Sequence, residues 1–148
     1  MTENVLFLCT SNAARSIMAE SLMNHWGKGR LVGFSAGNFP NNAVHPLALE
    51  ALNQRLLPTE GLRSKSWDEF SAPGAPVMDR IITLCDTAAG EVCPVWPGHP
   101  ATAQWDIADP AEVVGTRHGR MTAFRNTCHA LEAKIRLLLN VPQTNPGA

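Results

Sequence analysis

The chain has 148 residues, 45% of them hydrophobic, with 12 Lys and Arg against 13 Asp and Glu. That length suits a single domain burying about two-thirds of its unfolded surface, and the near-zero net charge leaves no electrostatic footprint for nucleic acid or an anionic membrane. No stretch approaches the ~20 apolar residues of a membrane span, and the N-terminus lacks the basic region, apolar run and small-residue site of a secretory leader, so a cytoplasmic protein is expected.

The first crossing, Asn4 to Trp26, organises the rest. An apolar run (Val5, Leu6, Phe7, Leu8) ends in Cys9-Thr10-Ser11-Asn12-Ala13-Ala14-Arg15-Ser16 and passes into a helical pattern carried by Ala19, Leu22, Met23 and Trp26, which reads as strand, anion loop and core-facing helix. Five residues between Cys9 and Arg15 allow a tight loop whose N–H groups point inward at the positive end of the helix beginning near Ser16. Arg15 supplies a planar fork for two oxyanion oxygens. A thiol so placed, beside a guanidinium and the Ser16 hydroxyl, is expected to be pushed towards thiolate and to act as a nucleophile.

Gly27 and Gly29 stop the helix, and Leu31 to Ala36 reads as a second strand feeding Ser35-Ala36-Gly37. His45-Pro46 opens a second helix, along which Leu47, Leu49, Leu52 and Leu56 run towards Pro58. His45 is read as a cap or surface residue without chemistry. Ser66-Trp67-Asp68-Glu69 has capping-box spacing and predicts a short helix through Phe70.

Arg80 to Cys85 is β-branched and apolar on both faces, as suits the interior of a parallel sheet. Asp86 to Pro100 is a long loop, Ala101 to Trp105 an edge-like strand, Asp106 to Pro110 a turn, and Met121 to Leu139 a last helix with Met121, Phe124, Cys128, Leu131, Ile135 and Leu138 on one stripe. The order predicts a single α/β domain over residues 1–148, a parallel sheet with helices on both faces and a site at the C-terminal strand ends. The four cysteines, Cys9, Cys85, Cys93 and Cys128, are not expected to be structural staples in a reducing compartment. Cys85, Cys93, His99, Cys128 and His129 lack the close-spaced pairs of a zinc site, and Cys128 is assigned to packing.

Cys9, five residues, Arg15 and Ser16, with Asn12 three after the cysteine, resemble the loop of the low-molecular-weight tyrosine phosphatase superfamily. The likeness runs on through Ser35-Ala36-Gly37, His45-Pro46, the Cys85 to Gly98 segment, Trp105 and Asp109-Pro110, and it implies a four-stranded sheet in the order 2-1-3-4. Two branches share this loop, phosphatases and arsenate reductases. Thr83 to Gly98, with Cys85 and Cys93, resembles the redox segment of the reductases; Asp109 stands where either branch carries its general acid. Ala111 follows Pro110 where phosphatases usually carry aromatic residues, in a chain without tyrosine, and this departure favours the reductase. Some thioredoxin-linked members hold potassium through side chains matching Asn12, Glu20 and Ser35 with an aspartate. Here Lys65 takes the aspartate position, so its ammonium is expected near those three groups and no metal or other cofactor is assigned.

The resemblance implies an arsenate reductase of arsenic detoxification, with the loop Cys9, Thr10, Ser11, Asn12, Ala13, Ala14 and Arg15 holding arsenate. Cys9 would attack arsenic with Asp109 as acid, then Cys85 and Cys93 would carry a thiol-disulfide relay to thioredoxin, or to glutaredoxin with glutathione. The alternative is a phosphotyrosine or small phosphoester phosphatase using Cys9, Arg15 and Asp109 alone. A non-enzymatic phosphate-binding module would leave Cys9 silent.

Overall fold

A computed structural model describes residues 2–84 and 100–140 of the chain. Four parallel strands form one sheet in the order β2-β1-β3-β4, where β1 is Glu3–Cys9, β2 Leu31–Gly37, β3 Arg80–Thr83 and β4 Ala101–Gln104. This is the predicted order. β1 lies between β2 and β3, so Val5 to Cys9 are buried on both faces, and Cys9 pairs with Gly37 at the shared C-terminal edge. The apolar runs of β1 and β3 follow from that double covering.

On one face α1 (Arg15–Trp26), α2 (Pro46–Gln54) and α4 (Arg117–Leu138) cover Val5, Phe7 and Ile82 around Met18, Leu22, Leu52, Phe124, Leu131 and Ile135. The other face buries Leu6, Leu8, Ala36 and Ile81 beneath Phe70 of the one-turn α3 (Asp68–Ser71) and Met78. Cys128 packs in the larger cluster. No described helix is long and apolar enough to cross a membrane.

Several boundaries move. The last helix begins at Arg117, four residues before its apolar stripe, because Thr116 Oγ1 accepts from the Gly119 N–H and starts an exposed first turn. α2 stops at Gln54, well before Pro58: Leu56 is left-handed at φ 58°, and the Leu57 N–H returns to the Leu52 carbonyl at 3.0 Å, leaving Leu56 in solvent. The expected capping box does not form: the Glu69 N–H turns to the Ser66 carbonyl at 3.2 Å instead of to the Ser66 hydroxyl. Ser66 Oγ accepts from the Asp68 N–H, and the Glu69 carboxylate turns to Arg63, which grips it at 2.9 and 2.5 Å. β3 ends at Thr83; Cys85 and the predicted long loop as far as His99 lie outside the described residues.

Candidate active site

Residues 10–14 leave β1 and return as the first turn of α1. Ala14, the N-cap, offers no side-chain cap, so the first N–H groups of α1 are left for the loop interior. The loop carbonyls face the other way and are held there. Thr10 O accepts from the Phe39 N–H, Ser11 O from the Asn41 N–H and from Ser64 Oγ, and Ala13 O from the His45 N–H, at 2.9 to 3.0 Å. With its acceptors fastened outward, the loop presents donors inward, as an oxyanion requires.

Asn12 makes the turn. It is fully buried with φ 49°, a conformation asparagine tolerates better than most residues. Its Oδ1 accepts from the Lys65 backbone N–H at 2.9 Å, and its Nδ2 donates to Ser16 Oγ at 2.7 Å. Ser16 Oγ lies 2.9 Å from Cys9 Sγ. Either atom can donate in that contact: the hydroxyl keeps a lone pair after accepting from Asn12, so a neutral thiol can give its proton to Ser16 Oγ and a thiolate would accept from it, and the backbone N–H groups of Ser16 and Asn12 also reach the sulfur. Burial nevertheless outweighs these donors and the Arg15 charge, and pushes the Cys9 thiol above its ordinary pKa. The expected bias of the free protein towards thiolate is thereby corrected: the groups that favour it are present, but Cys9 is 1% exposed and desolvation penalises the charge more.

Arg15 is almost as deeply placed. Its Nη1 donates to the Ile107 carbonyl at 3.0 Å and reaches the Leu84 carbonyl at 3.4 Å, and its Nη2 lies 3.6 Å from Asp109 Oδ2. Asp109 Oδ1 accepts from the Ala111 N–H at 3.0 Å and so caps the 3-10 turn Pro110–Glu112. Three strand ends therefore converge: β1 brings Cys9, the end of β3 brings Leu84, and the turn after β4 brings Ile107 and Asp109.

Behind the loop, Lys65 Nζ lies 3.7 Å from Glu20 Oε1 and 3.4 Å from Ser35 Oγ, and donates to the Arg63 carbonyl at 2.8 Å. Ser35 Oγ also donates to Glu20 Oε1 at 2.5 Å. The ammonium reaches two of the three groups expected of it. The third, Asn12, is held by the lysine's backbone instead. Burial lowers the Lys65 pKa and raises that of Glu20, each opposed by the other's charge.

Residues 4–145 match the profile of the low molecular weight phosphotyrosine protein phosphatases. The chain belongs to this family. Among curated relatives, it is 30% identical over 132 residues to an arsenate reductase of Shouchella clausii (89% of this chain, 91% of that one) and 32% identical over 136 residues to one of Halalkalibacterium halodurans (89% and 91%). Among solved structures, it is similar to an arsenate reductase from Archaeoglobus fulgidus (TM-score 0.70, 27% identity, 92% of this chain and 98% of that one) and to a thioredoxin-dependent arsenate reductase from Corynebacterium glutamicum (0.60, 26%, 93% and 63%). The fold is also that of a low molecular weight protein tyrosine phosphatase from T. tengcongensis (0.75, 24%, 93% and 98%).

In this phosphatase-family chain the structure brings together Cys9, Thr10 to Arg15, Ser16 and Asp109. Cys85 and Cys93 lie outside the described residues, although Cys85 directly follows Leu84, whose carbonyl faces Arg15. Gly37 was not read as a site residue. It exchanges backbone hydrogen bonds with the segment 65–67 on one side (Gly37 N–H to Lys65 O, Trp67 N–H to Gly37 O) and lies so close to the loop on the other that a Cβ would stand 2.5 Å from Thr10 O. Its sequence signals were a glycine at the end of a strand beside the loop and its place in the Ser35-Ala36-Gly37 segment of the family likeness, neither of which says what the glycine does. The carbonyl restraints from Phe39, Asn41 and His45 were equally hidden, since they use backbone N–H groups that any residue but proline carries.

Proposed function

We propose that this family member reduces arsenate to arsenite through Cys9, Cys85 and Cys93. The observation that carries the oxyanion chemistry is the inward-facing loop with Cys9 Sγ at its floor, Arg15 at its side and Asp109 3.6 Å from that arginine. The choice of arsenate rests on likeness, over about nine-tenths of each chain, to proteins named arsenate reductases and on the two cysteines that follow β3 in the sequence.

Arsenate binds with its oxygens on the loop N–H groups and the Arg15 guanidinium. Cys9 Sγ gives its proton to the arsenate dianion and attacks arsenic; an S–As bond forms as an As–OH bond breaks, and that oxygen leaves as water with a second proton, from Asp109. The Ser16 hydroxyl and the Asn12 and Ser16 amides stabilise the attacking thiolate. Cys85 thiolate then attacks Cys9 Sγ, and the S–As electron pair passes to arsenic, which leaves as arsenite. Cys93 displaces Cys9 from the resulting disulfide, and a Cys85–Cys93 disulfide is passed to thioredoxin, or to glutaredoxin with glutathione. No metal takes part; Lys65 supplies the positive charge beside Glu20 and Ser35.

Quenched single-turnover assays of Cys93→Ser test the relay. About one arsenite per enzyme is expected, followed by arrest with thioredoxin, whereas aryl phosphate hydrolysis stays near the parent rate. Normal multiple turnover with thioredoxin would refute it. Phosphoester hydrolysis as the main activity is the second reading, favoured by a loop and acid that suffice for it without Cys85 or Cys93. An arsenate turnover far below that of aryl phosphate, with reductant present, would decide for it.

A further inference from the structure

His45 stands where the anion loop, α2 and α4 meet. Its backbone N–H donates to the Ala13 carbonyl at 2.9 Å, inside the loop. Its ring caps α2, with Nδ1 accepting from the Leu47 N–H at 3.1 Å ahead of Pro46. The same ring lies 4.6 Å from that of Phe124 on α4, tilted by 37°. One residue thus links the loop to two of the helices that cover this face of the sheet.

We propose that His45 is a positioning residue of the anion loop, its neutral ring fixing the start of α2 so that its own N–H holds the Ala13 carbonyl outward and the loop's donors inward. The tautomer follows from the cap. An Nδ1 that accepts carries no proton, so the proton sits on Nε2. Protonation would place two N–H donors face to face and add a cation at the positive end of α2, so the cap is lost when the ring becomes charged. The charged groups facing the ring are Arg120 of α4, which opposes its protonation, and Asp109, which favours it; burial is the larger influence and lowers the pKa.

This rests on the loop being an oxyanion site, but not on which reaction it catalyses. Sulfate is the probe, because it stays divalent across the range in which histidine titrates. Calorimetric affinities should be compared between the parent and His45→Asn, whose side chain caps a helix start without titrating. At about pH 7.5 the two should agree within about twofold; by about pH 5 the parent should have weakened about fivefold relative to His45→Asn. The Ala13 amide resonance should titrate with the His45 ring in the parent and not in the variant. His45→Ala should bind weakly at every pH; should it fail to fold, the asparagine comparison stands alone. Parallel pH dependence of parent and His45→Asn would overturn the proposal, as would tighter binding by the parent in acid, which would make the ring a charge for the anion. Failure of both proteins to bind sulfate at any pH would overturn the oxyanion-site reading and this proposal with it.

Discussion

Gly37→Ala probes how closely the loop is fitted to the sheet. An added Cβ would stand 2.5 Å from Thr10 O, 2.8 Å from Cys9 O and 3.0 Å from Asn12 N, all backbone atoms of the loop. None of these can swing aside as the tip of a side chain can. Ordinary contact begins at 3.4 Å, so the loop must retreat by roughly 0.9 Å or β2 must slip against β1. Overpacking of this kind costs about 1–3 kcal/mol of stability. Anion-site geometry tolerates only about 0.5 Å, and a misplacement near 1 Å costs on the order of 100-fold in rate. The assay is kcat/KM for an aryl phosphate with sulfate affinity and a denaturant melt measured in parallel. Gly29→Ala is the control: Gly29 has φ 81° and nothing within 4 Å of the added carbon, so it should lose about 1 kcal/mol of stability and keep its activity. A folded Gly37→Ala protein with the parent's activity and affinity would refute the reasoning.

Lys65→Met should destabilise the fold by about 3 kcal/mol at neutral pH, because it leaves the Glu20 carboxylate buried without its cation. Glu20 already has a raised pKa, so the native state takes up its proton at higher pH than the unfolded chain; the loss should therefore shrink in acid as Glu20 becomes neutral. Urea melts at several pH values check this, and equal stability of variant and parent at pH 7 would sink it. With Lys65 in place, activity should be indifferent to potassium against sodium at fixed ionic strength; a strong and specific potassium activation would reassign the lysine. Cys128, buried and pushed up to about 11, should resist alkylation at pH 8 in the native protein and react only on unfolding, as read by mass spectrometry. Its raised pKa contributes stability that is present below about pH 8.5 and lost as pH rises towards 11, so Cys128→Ala should flatten that part of the alkaline stability profile.

Much of the site was legible because its chemistry is local in the chain. Cys9, Asn12, Arg15 and Ser16 lie within eight residues of one strand-to-helix passage, and hydrophobic periodicity shows where that passage begins and ends. The double-faced apolar runs at Val5 to Leu8 and Arg80 to Cys85 likewise disclosed a covered parallel sheet. Asp109 was found only through resemblance, since an aspartate before proline is by itself an ordinary turn residue.

Tertiary structure decided what residue type cannot express. The loop is held by backbone groups of Phe39, Asn41 and His45, and Lys65 fixes Asn12 through its amide rather than its ammonium. Gly37 is needed for the space it leaves between two backbones, not for a left-handed turn. The net pKa of Cys9 was equally out of reach of spacing rules. Spacing identified the donors and the cation that favour a thiolate; the opposing desolvation depends on how completely sheet and helices close over the sulfur, and that is a property of the packed whole.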